Sequence, residues 1–175
     1  GVQMGVASAY TMVYLAGPLR APGVLLGIAE AIPIPLQIVV FLVATRVVAW
    51  LTLPVAMHTC ALAAAVRFAA FSLIEDPWLV AMFEMTWGWT FPVYFTVSVQ
   101  LAEEFAPHGL QASAISLNHT SRQLGTTLTL FSSFAPLRLL GYARTYAAFA
   151  ALFAVAATPL ACTLCIWRAN HRRTD

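Results

Sequence analysis

Four charged side chains stand inside long apolar runs of this chain: Glu30, Arg67, Glu84 and Arg122. Even on lenient insertion scales, an ion at mid-membrane depth costs about 2.5–3.5 kcal/mol. Such groups persist where pairing or a polar cavity offsets the cost, and there they mark ion or solute pathways. A buried carboxylate favours its protonated form, and an approaching cation restores the ionised one. Glu30 and Glu84 are therefore candidate proton-coupling groups, with Arg122 as the expected partner of one of them across a polar cavity. A buried structural ion pair is the alternative. Arg67 is a secondary candidate, with snorkelling to the headgroups as its other reading. Asn118 and His119, close to Arg122, are substrate or coupling candidates. His58 and His119 either relay protons or are hydrogen-bonded packing residues. Trp87, Trp89, Phe91, Tyr94 and Phe95 surround Gly88. They offer either a stacking surface for a sugar or base, or ordinary packing.

The elements that must carry these residues are apolar. The 175 residues are 61% hydrophobic and 9% charged, with mean hydropathy +0.80. A soluble domain holds about 25% charged residues, so an all-α bundle of membrane-spanning helices is expected. A span needs about 20 residues, and six runs are expected: Val2–Ala16, Val24–Ala44, Val47–Phe71, Pro77–Ala102, Leu110–Phe134 and Tyr146–Trp167. Breakers separate them at 17–23, at Thr45-Arg46, at 72–77, at 106–109 and at 136–144. Pro33 and Pro35 predict a break inside the second run, just after Glu30. The fifth run is polar. Gln111, Asn118, Arg122, Thr126 and Thr129 fall on one helical stripe, which predicts a cavity-facing span. A surface-lying helix is the alternative.

All nine basic residues are arginine, and they gather only at the C-terminal end, so nucleic-acid binding has no support. Trp167, Arg168, Arg172 and Arg173 read as an interfacial belt and a cytoplasmic tail. With that orientation and about 1.5 Å rise per residue, Glu30 and Glu84 lie about 10 Å in from the outer edge. Arg67 is shallower, and Arg122 is about two-thirds of the way across from inside. Cys162 and Cys165 form a C-x-x-C without further ligands and read as core filler. There is no Gly-rich phosphate loop, no nucleophile–base constellation and no metal-ligand spacing, so neither an enzyme nor a cofactor is expected. The chain begins with Gly1 inside an apolar run, and a fragment lacking its N-terminal part is expected.

Three stretches carry a family resemblance: the run from Gly27 through Glu30 to Pro33, then Arg67 through Pro77-Trp78 to Glu84, and Gly88-Trp89-Thr90-Phe91. With the loop from Ala106-Pro107 to Ala114, they resemble the major facilitator superfamily, and within it the lactose permease and nucleoside–proton symporter-like branch. The resemblance implies the C-terminal six helices of a twelve-helix transporter. Its partners would be the N-terminal half, the lipid bilayer, a small polar solute and protons. It also implies alternating access, with Glu30, Glu84 and Arg122 on cavity helices and Arg67 and His58 on a peripheral one. The fifth run departs from the family's glycine-rich penultimate helix; only Gly125 remains. A non-transporting six-helix structural or regulatory protein is the alternative.

Overall fold

The computed structural model describes the backbone of residues 10–171, and side chains for 10–158 apart from Ser133. All regular structure in these residues is helical: α1 at 10–16, α2 Gly23–Ala31, α3 Pro33–Leu51, α4 Leu53–Leu73, α5 Pro77–Phe83, α6 Met85–Phe105 and α7 Gln111–His171. Most of the first expected run, and Arg172 and Arg173, lie outside the described residues. So do the side chains of Cys162, Cys165, Trp167 and Arg168.

Among the described residues, prolines set three of the seven helix starts. Pro33, Pro54 and Pro77 each sit at the first or second helical position. A missing N–H is harmless there, because the first amides of a helix have no intrahelical acceptor. Asp76 completes the start of α5, its side chain accepting from Trp78 N–H at 2.8 Å.

The prolines in the second run interrupt the helix for one residue without unwinding it. Ile32 keeps helical angles (φ −54°, ψ −42°), and its N–H reaches Ile28 O at 2.8 Å. Gly23–Leu51 is therefore one helical stretch long and apolar enough to cross a membrane. Leu53–Leu73 and Phe134–Thr158 are two more. Thr45-Arg46 is not the expected turn. Both residues lie inside α3, and the chain breaks instead at Thr52, with φ 66° and ψ 152°. A threonine and an exposed arginine fit a helix, whereas Pro54 requires a new one to begin.

The expected turn at 136–144 contracts to a single residue. Within α7 only Gly141 is non-helical, at φ 78° and ψ 172°. That region of backbone space is essentially reserved for glycine and costs other residues about 1–3 kcal/mol. Space is not the constraint, since a methyl group at this site would meet nothing within 4 Å. Gly141→Ala is expected to lower thermal stability in detergent by that 1–3 kcal/mol. Gly27→Ala, in open space on helical backbone, is the control and should melt no lower than the parent.

α4 is the central helix and touches α3, α5, α6 and α7. Its buried alanines, Ala56, Ala64, Ala65 and Ala70, let those neighbours approach closely, as helix packing in lipid requires. Two cores form around it. One joins Tyr14, Leu25, Phe68, Phe71 and Tyr146; the other joins Val40, Val48, Cys60, Val93 and Val97. Leu42, Trp50, Leu73 and Leu139 point outward, Trp50 with 90% of its surface uncovered. Large apolar side chains on such an outer face suit acyl chains rather than water.

Candidate functional site

The hairpin at 74–76 decides which charges meet. Arg67 stands seven residues before Ile74, and Glu84 stands eight after Asp76. Nearly equal distances from one turn bring the two side chains to the same level on α4 and at the α5–α6 joint. Glu84 is that joint. Its N–H bonds to Ala81 O at 3.1 Å and its carbonyl accepts from Trp87 N–H at 2.9 Å, a tightened three-residue spacing. Arg67 Nη2 donates to Glu84 Oε2 in an ion pair, with the arginine side chain 1% exposed. The guanidinium also lies 5.3 Å from the ring centroids of both Phe71 and Trp87, within cation–π range.

Two expectations are corrected here. The partner of Glu84 is Arg67, not Arg122, and Arg67 is enclosed rather than snorkelling to headgroups. The physical reason is connectivity: a short turn brings neighbouring helices to matching depth, while Arg122 comes from a helix that packs elsewhere on α6.

Glu30 is exposed on α2 and forms no ion pair among the described residues. It nevertheless lines the same small cavity, about 100 Å³, as Arg67, Glu84 and Trp87. Three buried atoms beside that cavity have no hydrogen-bond partner: Arg67 Nε, Arg67 Nη1 and Glu84 Oε1. Polar walls and this volume give room for a few water molecules or a small polar group at roughly 30 Å³ per water. Two carboxyls and one guanidinium around one cavity can hold a proton, a water-borne cation or a hydroxyl-bearing solute.

Arg122 belongs to a second group. Its Nη2 lies 2.8 Å from His119 Nε2, and its guanidinium is 5.6 Å from the Phe95 ring centroid. Asn118 Nδ2 donates to Ser98 O at 3.2 Å and ties the start of α7 to α6. His58 is half-buried, with Nδ1 unpartnered, and joins neither group. The aromatic set around Gly88 divides by helical period. Trp87, Phe91 and Phe95 form a row, with centroids 5.6 and 6.2 Å apart. Trp89 and Tyr94 pack instead against the second core. Phe41 of α3 was not foreseen; it meets Phe91 and Phe95 edge-on at 5.9 and 6.1 Å. The spacing of four between Trp87, Phe91 and Phe95 was the readable signal for the row; nothing in the sequence points to Phe41.

Residues 1–128 match the MFS_1 like family. The chain is a member of that family. The match takes in Glu30, Arg67, Glu84, His119 and Arg122, and it supports a relation to the major facilitator superfamily. No curated protein and no solved structure matches the chain. Membership of the MFS_1 like family, with three helical stretches able to cross a bilayer, makes this an integral membrane protein of transporter type.

Proposed function

We propose that this MFS_1 like chain is the C-terminal six-helix half of a proton-coupled secondary transporter for a small polar solute. It works with an N-terminal half by alternating access, its tail on the cytoplasmic side. In character it stands closest to the lactose permease and nucleoside–proton symporter-like branch, and it has no enzymatic role. One observation carries the reading: Glu30, Arg67 and Glu84, from α2, α4 and the α5–α6 joint, share one cavity.

The charges there do not cancel. Two ionised acids and one guanidinium leave one net negative charge. A neutral cluster is cheaper to seal from water than a charged one, because each unmatched ion carries its own desolvation cost. Uptake of one proton neutralises the cluster and permits closure; its loss on the other side resets the cycle. Arg67 keeps Glu84 in place, so Glu30, which has no ion pair among the described residues, is the carboxylate free to respond. The lactose permease-like resemblance of the motif order supports the same reading.

Uptake into proteoliposomes by the full-length gene product tests this, with sugars and nucleosides as the first solutes. Glu30→Gln should abolish accumulation driven by a pH gradient while leaving solute exchange at equal pH and the melting temperature intact. Gradient-driven accumulation that persists in both Glu30→Gln and Glu84→Gln would remove the coupling proposal.

A further inference from the structure

We infer that Arg122 docks an anionic group of the transported solute, whose flat apolar body lies along the Trp87–Phe91–Phe95 row. This rests on the transporter reading above and replaces its first solutes, sugars and nucleosides, with an aromatic carboxylate.

The two arginines differ in what they lack. Arg67 has its carboxylate. Arg122 makes no ion pair among the described residues; its contacts are an imidazole and a phenyl ring. A guanidinium carries five N–H donors. Here one nitrogen is turned to His119, and the buried Nε has no acceptor. His119 and Phe95 therefore fix the guanidinium without neutralising it. The arginine fork is matched to a carboxylate or phosphate, which it binds through parallel hydrogen bonds.

The row supplies the rest of the site. Trp87 and Phe91 are nearly parallel, at 24°. From Trp87 to Phe95 is eight residues, roughly 12 Å at 1.5 Å rise per residue. A flat two-ring body together with its acid group would cover most of that length. All three rings are half-buried, and Phe41 closes the row edge-on from α3. At the far end, Trp87 is already occupied by Arg67, whose charge Glu84 neutralises. One uncompensated positive charge at one end of an apolar strip matches one negative charge on a flat body. A phosphate monoester carries about −1.5 to −2 at neutral pH, so a carboxylate is the better fit. A neutral sugar would find few hydrogen-bond partners along the phenyl rings.

The test is equilibrium binding of radiolabelled naphthoate to the full-length protein in nanodiscs. Competitors are naphthamide, which has nearly the same shape but no charge, and naphthyl phosphate. A hydrogen-bonded charge contributes about 1.5–3 kcal/mol, so naphthamide should bind about 10- to 100-fold more weakly than naphthoate. Arg122→Gln should bring naphthoate down to the amide's level with an unchanged melting temperature. Arg122→Lys should fall between, because it keeps the charge and loses the fork. Phe91→Ala should weaken naphthoate and naphthamide alike. Equal binding of acid and amide, undiminished naphthoate binding in Arg122→Gln, or no naphthoate binding at all would overturn the inference. Tighter binding of naphthyl phosphate than of naphthoate would overturn the choice of carboxylate. Proton-linked uptake of neutral solutes without naphthoate binding would leave the transporter reading standing alone. Naphthoate held through Arg122, with no transport of any solute, would leave the site standing and remove that reading.

Discussion

Glu84→Ala is expected to destabilise the protein by about 3–5 kcal/mol, because it strands Arg67 as an uncompensated buried charge. The arginine has no escape: 1% of its side chain is exposed, and Phe71 and Trp87 flank the guanidinium. The pair itself is a weaker source of stability than this number implies. Replacing both members by apolar residues of similar volume is often neutral or stabilising. Arg67→Met combined with Glu84→Leu should therefore recover most of the loss, while gradient-driven transport stays absent. Thermal unfolding of the single and double variants in one detergent completes a double-mutant cycle. A Glu84→Ala protein that melts with the parent would mean that Arg67 reaches water or another acid, contrary to the enclosed pair. The contrast between restored folding and lost transport separates stability from function at this site.

The second large effect is expected at Gly88. A methyl there would stand 2.8 Å from Leu36 Cβ and 2.9 Å from the Pro33 carbonyl oxygen. Real side chains do not approach so closely, and one obstacle is backbone. Gly88→Ala should cost about 1–3 kcal/mol through overpacking, and Gly88→Val more. Leu36→Ala should fail to rescue it, because the clash is with the Cβ that alanine retains and with a carbonyl that no substitution removes. The adjoining Trp87 lies beneath Arg67, so the same shift should disturb solute coupling even where the protein still folds. Melting curves and uptake measured together check both halves of this expectation.

Much of this was legible from residue types. Apolar length announced the helices, and Gly17-Pro18, Asp76-Pro77 and Pro107-His108-Gly109 fall in or beside the breaks between them. The stripe through Asn118 and Arg122 is local to one helix, and His119 lies within hydrogen-bond reach of Arg122 as three-residue spacing allows. The pairing of Glu84 with Arg67 was harder. Depths counted separately along each helix put all four charges at similar levels, and depth alone cannot choose among helices. The hairpin could have chosen, since Arg67 and Glu84 are nearly equidistant from it. One turn was misplaced and another drawn too wide, for a related reason. Thr45-Arg46 and Pro136 look like interruptions by polarity or by a missing donor. Near these two places, however, the backbone leaves helical geometry at Thr52 and Gly141, where φ turns positive. Hydropathy reports what a segment dissolves in, and torsion angles decide where it bends.

The joints at Ile32 and Glu84 are neighbours in space, since Gly88 of α6 presses on the Pro33 carbonyl of α3. α2 packs on α5 and α3 packs on α6. Two adjacent columns are thus cut at one storey, with the upper pieces resting on each other and the lower pieces likewise. A tilt of the upper pair would bend both columns at the points where they are already interrupted. It would widen or pinch the chamber that Glu30, Arg67 and Glu84 share, so the fault line and the charges lie in one slice of the protein.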